Sequence, residues 1–257
     1  MTASLPLAEF GALPLLIAAL AFFAGGISKG VTGLGLPLIA VPVMATAIDP
    51  RTAIAMMVVP TLTSNAWMVW RSGRAAETWR RFWPLLLFLA IFTVLGVQVL
   101  VRVDAAMASL LVGLGLMLFC LSQVFPVGGE ITPRMERWAG PAVGVVAGVM
   151  AGTTNFYGPP LFAYLAALRL SKDTFVATIT FFFMIATVPQ QASMAVAGVL
   201  TLEIAAASAV AAVVVLAGVG AGGLIRKRVS QETFQRVLVA MLFLIALNLI
   251  RRGIGWP

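Results

Sequence analysis

The chain has 257 residues, of which 61% are hydrophobic and only 10% charged, against about 45–50% and about 25% in an ordinary globular domain. Too few charged groups are present to cover a water-soluble body of this length, so the composition excludes a soluble protein and leaves a single membrane unit over 1–257. The net charge of +8 comes from 17 Lys and Arg against 9 Asp and Glu; these bases fall between apolar runs, as in topology-setting loops, and not on the aromatic-interleaved face that would bind nucleic acid.

In chain order, ten apolar stretches are predicted: 11–29, 34–48, 52–70, 82–101, 105–125, 139–153, 158–170, 174–198, 204–225 and 234–250. No Lys or Arg precedes Lys29, so the first stretch lacks the basic start of a secretory signal and is expected to be retained. The runs 52–70, 82–101, 105–125, 174–198 and 204–225 are long enough to cross a hydrocarbon core of about 30 Å. The runs 34–48 and 158–170 would reach only about 22 and 20 Å as helices, so they read as half-helices. The first two stretches of each half are accordingly expected to be short hairpins broken at Gly and Pro.

With the N-terminus outside, twelve bases fall in the inner connections, in clusters at Arg71–Arg81, Arg134–Arg137, Arg169–Lys172 and Arg226–Arg236. Only Arg51, Arg102, Arg251 and Arg252 fall in the outer ones. This positive-inside asymmetry puts both termini on the outer, periplasmic side. All six tryptophans lie near segment ends, as an interfacial aromatic belt does.

The two halves resemble each other. Ala24 to Pro37 aligns with Val146 to Pro159 at a constant offset of 122, which matches Gly26, Gly30, Thr32 and Pro37 to Gly148, Gly152, Thr154 and Pro159. Further on, Thr52 and Ala55 meet Thr174 and Ala177. Each copy, about 11–125 and 139–252, holds five stretches. An odd number reverses direction, so the expected fold is an all-α polytopic membrane protein of two inverted-topology repeats. Secondary transporters use that arrangement to hold a substrate between the halves near the midplane.

The segment Ala24–Pro37 with its close glycines, the run Gly152-Thr153-Thr154-Asn155-Phe156-Tyr157-Gly158-Pro159 and the duplicated layout resemble the sulfite exporter TauE/SafE family of anion transporters. The resemblance implies a small bacterial inner-membrane carrier of sulfite, sulfonates or other small organic anions. Where family members often carry Ala-Thr-Asn or Ala-Thr-Ser after the first broken pair, this chain has Ala55-Met56-Met57, and Ala177-Thr178 in the second copy.

An anion needs N–H donors and positive potential, and half-helix N-termini supply both. Pro37 and Pro159 suit the first turn of a helix, where a missing N–H costs nothing. Thr32, Gly33, Gly35, Thr153, Thr154, Asn155 and Gly158 are then candidate substrate contacts; glycines that merely let helices approach are the alternative. Lys29, beside Ser28, either adds a fixed charge to an anion path or snorkels to the interface. Pro60 frees the carbonyl of Met56, and Thr61, Thr63, Ser64 and Asn65 follow it. In the second half Thr180, Thr187, Pro189, Gln190 and Gln191 hold comparable places. These side chains either line a cavity or hydrogen-bond between helices. Phe156 and Tyr157 either close over a ligand or pack in the core.

Histidine is absent and Cys120 is the lone cysteine, which removes His-based general bases, the Ser-His-Asp arrangement and cysteine or histidine metal clusters. No cofactor or metal is therefore expected, and the alternatives of a membrane-embedded enzyme or a non-transporting receptor subunit have little to build on. Every acid lies in a loop or at a segment end, so no acidic proton relay is expected. Efflux of an anion needs none, because an inside-negative potential favours exit by about 2.3 kcal/mol per charge per 100 mV. Uptake would call for a coupling cation, a proton or sodium.

Overall fold

A computed structural model of the chain describes residues 11–32, 35–124, 131–225 and 231–255. Those residues form helices and no strand. In order they are α1 (Ala12–Thr32), α2 (Leu36–Ala45), α3 (Pro50–Ala55), α4 (Val58–Ser72), α5 (Ala75–Arg102) and α6 (Ala105–Val124). The second half continues with α7 (Pro133–Thr154), α8 (Gly158–Ala167), α9 (Lys172–Val196), α10 (Leu202–Ile225) and α11 (Gln231–Gly253). Among the described residues six regions are long and apolar enough to cross a membrane: α1, α3 with α4, α5, α6, α9 and α10. Large apolar side chains face outward along them, Leu16, Leu95, Leu118 and Leu216 among others, as a lipid solvent requires. Trp67, Trp70, Trp79, Trp83 and Trp138 are likewise exposed.

The short hairpins expected at the start of each half differ from the structure in one respect. Only their second members are short: α2 and α8 have 10 residues each, whereas α1 has 21 and α7 has 22. Hydropathy stops the sixth stretch at 139 because Arg134, Glu136 and Arg137 precede it. The backbone continues through them, for Thr132 caps the helix by accepting from the Met135 N–H and proline occupies the first turn. Arg81 grips Glu136 through two bonds of 2.9 and 3.1 Å, which settles that first turn against α5. At the other end α1 runs on through the polar Ser28-Lys29-Gly30. The stretch 52–70 also differs: a turn at Met56–Met57 divides it into α3 and α4.

The two halves keep step through their first elements. The last residues of α1 and α7 (Thr32, Thr154), the first of α2 and α8 (Leu36, Gly158) and the N-caps of α3 and α9 (Asp49, Ser171) each stand 122 positions apart. Asp49 accepts from the Arg51 N–H at 2.8 Å and Ser171 from the Thr174 N–H at 3.4 Å, the same capping job in both copies.

Each first helix packs on a long helix of the other half. α1 lies along α10 in the same direction, with Gly26 against Val215 and Gly218 and Gly30 against Val219 and Gly222. α7 lies along α5 in the same direction, with Gly144, Gly148 and Gly152 against Leu85, Leu89 and Thr93. α6 and α11 run in opposite directions, Gly113 beside Ile250 and Gly253 beside Leu110. Small residues at these crossings bring backbone against backbone, which drives helix association where lipid is as apolar as leucine.

Candidate functional site

The chain breaks between α1 and α2 and again between α7 and α8. Gly35, with φ of 102°, turns the first break in a region that side chains rarely adopt, and Pro37 sits in the first turn of α2. Asn155, with φ of 63°, ends α7, and Asn is among the few residues that tolerate this region. Gln190 of α9 secures it by donating to the Ala151 carbonyl at 2.5 Å and to Asn155 Oδ1 at 3.3 Å.

Both breaks open on one cavity of about 70 Å³, several times the roughly 10–15 Å³ that one water needs. Gly35, Leu36, Pro37 and Leu38 line it from the first break, and Asn155, Phe156, Tyr157, Gly158 and Pro159 from the second. α4 adds Thr61, Ser64, Asn65 and Met68, and Lys29 closes it from α1. Phe119, Phe162 and Phe183 supply ring walls. Among the described lining residues Lys29 is the one charged group and no carboxylate is present. The first turns of α2 and α8 add the partial positive charge of their N-termini.

Of the residues singled out in the sequence, Lys29, Gly35, Ser64, Asn65, Asn155, Tyr157 and Gly158 thus come together at this cavity. The hydroxyls of Thr153 and Thr154 are turned elsewhere: they donate to the carbonyls of Val149 and Met150 at 2.7 and 2.8 Å, closing the end of α7. Thr154 Oγ1 also accepts from the Phe156 N–H at 3.2 Å, shaping the break from behind. Thr63 is exposed, its hydroxyl on the Val59 carbonyl at 2.6 Å, and does not line the cavity. Ser28 is buried within α1, off the lining. Gln190 acts one layer back, on Asn155. Gly33 and the Thr32 side chain lie outside the described residues. Tyr157 both lines the cavity and packs, its ring edge-to-face on Phe183 at 5.1 Å and its hydroxyl 3.4 Å from Thr187 Oγ1.

Sequence reasoning missed Ser208 on α10. Pro60 leaves the Met56 carbonyl without its helical donor, and Ser208 Oγ donates to that carbonyl at 2.7 Å while accepting from the Val59 N–H at 3.0 Å. A lone hydroxyl inside an otherwise apolar span was the signal available. Gln191 adds a bond to the Ile54 carbonyl at 3.2 Å, so α9 and α10 together brace the α3–α4 corner. The ring walls had no such signal, because phenylalanine in an apolar run reads equally as core or lipid contact.

A helical membrane unit whose interrupted helices converge on an internal, positively lined chamber has the construction of a solute carrier. The family model described as "Sulfite exporter TauE/SafE" matches residues 17–249, nearly the whole chain, and the chain belongs to that family. It is therefore a membrane transporter of the sulfite and anion type, not an enzyme. No curated protein and no solved structure matches it.

Proposed function

We propose that this chain carries a small anion, such as sulfite, an organosulfonate or a related organic anion, by exposing the cavity between the two breaks alternately to each side of the membrane. The single observation that carries the reading is the convergence of both breaks and Lys29 on one chamber free of carboxylates among its described lining. An anion there meets backbone donors and positive charge with no acid to repel it.

Helix directions support inverted repeats. α5 follows α7, α1 follows α10 and α6 opposes α11; with successive spans alternating in direction, α1 then opposes α7 and α5 opposes α10. Lengths support a site near half depth. Ten residues of α2 or α8 rise about 15 Å, half of a core of about 30 Å. The far end of α2 is tied to Arg252, which donates to the Ala45 and Thr46 carbonyls at 3.3 and 2.7 Å. The far end of α8 is tied to the start of α7, Ile131 N–H to Ala167 carbonyl at 3.1 Å. Each short helix thus enters from its own face and stops where the other does. Efflux down the membrane potential needs no partner ion; uptake needs a proton or sodium.

The test is saturable flux of sulfite and sulfonates into liposomes holding the purified chain. A Cβ on Gly158 would stand 3.0 Å from the Phe162 ring, so Gly158→Leu fills the chamber. Its flux is expected to vanish while the protein still elutes and melts as a folded species. Wild-type flux through Gly158→Leu, or no flux of any anion through the native chain, overturns the reading.

A further inference from the structure

The cavity is lined by both polar and aromatic side chains. To it α4 presents Thr61 and Asn65, one helical turn apart and only 7% and 6% exposed. Neither Thr61 Oγ1 nor Asn65 Nδ2 has a hydrogen-bond partner. Buried polar atoms are seldom left in this state, and a threonine in a helix has an easy way out of it. Thr63, Thr153, Thr154, Thr180 and Thr187 each return the hydroxyl to the carbonyl one turn back. Thr61 does not, and its hydroxyl stays without a partner in a residue that lines the chamber.

Phe119, Phe162 and Phe183 line the same cavity from α6, α8 and α9. Phe183 is fixed edge-to-face between Tyr157 at 5.1 Å and Phe162 at 6.0 Å, so this wall has a set shape. A bare oxyanion would have to shed water over its whole surface and recover donors from only part of this lining. An anion with a short carbon tail loses nothing by turning that tail to the rings.

We infer that Thr61 and Asn65 grip the head of the transported anion, with Lys29 supplying the opposite charge, and that the ring wall takes an apolar tail. The site then prefers a short alkylsulfonate to inorganic sulfite or sulfate. The inference rests on the transport reading of this same cavity and adds to it the orientation and class of the solute.

Calorimetric titration of the purified full chain with sulfite, sulfate and methane-, ethane- and propanesulfonate tests it. Affinity is expected to rise about fourfold per added methylene until the chamber is filled. Thr61→Val and Asn65→Leu are each expected to lower propanesulfonate affinity about tenfold or more, whereas Thr61→Ser, which keeps the hydroxyl, binds within about threefold of wild type. Sulfite binding as tightly as propanesulfonate, or folded Thr61→Val and Asn65→Leu proteins binding like wild type, overturns the inference. Should those two variants fail to fold, the alkyl series on the native chain decides alone. Liposome flux separates the two claims: saturable flux indifferent to tail length sinks this inference and leaves anion transport standing, and absence of any anion flux sinks both.

Discussion

Ser208 illustrates how one hydroxyl can settle a problem that a proline creates elsewhere. Pro60 denies the Met56 carbonyl its donor, the chain turns, and the freed Val59 N–H and Met56 carbonyl are both satisfied by a serine from the other half. In a buried setting neither group can turn to water. Ser208→Ala therefore leaves a donor and an acceptor unpaired and is expected to cost about 1–3 kcal/mol. Thermal melts in detergent should show Tm lowered by about 2–12 °C. A melt unchanged from wild type would mean that the corner holds without the hydroxyl.

Among the elements, the glycine-lined crossings fix how closely the halves can approach. A Cβ on Gly152 would lie 2.3 Å from the Thr93 carbonyl oxygen and 2.5 Å from the Val97 nitrogen, and both are backbone atoms of α5 that cannot step aside singly. Gly152→Ala is expected to force α7 off α5 at a cost of about 1–3 kcal/mol or more. Gly220 on α10 has nothing within 4 Å of its would-be Cβ. Gly220→Ala should be neutral or stabilising by up to about 1 kcal/mol. Melting the two variants side by side checks the contrast; equal Tm values would show that the crossings are looser than the contacts require. The same contrast separates glycines that hold the fold from those at the breaks, where Gly35 serves a turn.

For the whole molecule, the distribution of bases predicts which ends of the helices face the cytoplasm. Ala76 and Ala105 are both exposed, one at the base-rich start of α5 and the other at the start of α6. The native Cys120 is buried and will not compete for a thiol reagent. A membrane-impermeant maleimide applied to intact spheroplasts is expected to label Ala105→Cys and spare Ala76→Cys. The reverse pattern would invert the orientation without touching the fold.

Composition alone announced a helical membrane unit, because a chain with 10% charged residues has no other solvent to fold in. The offset of 122 announced the matching helix ends and caps of the two halves, and the paired prolines after Gly35 and Tyr157 announced where the chain breaks. These are local facts: hydropathy, spacing and the missing N–H of proline act on neighbours in sequence. Hydropathy misjudged α7 because charged residues can begin a helix outside the bilayer when a cap and a salt bridge hold them. What the sequence left open was which polar side chains turn inward. Thr61 and Thr63 look alike two positions apart, yet one is buried without a partner and the other is exposed. Burial depends on which helix of the distant half comes alongside, and α9 and α10 cross α4 from more than a hundred residues away. Side-chain direction on a helix is set by that neighbour, so only the packed tertiary structure could choose between them.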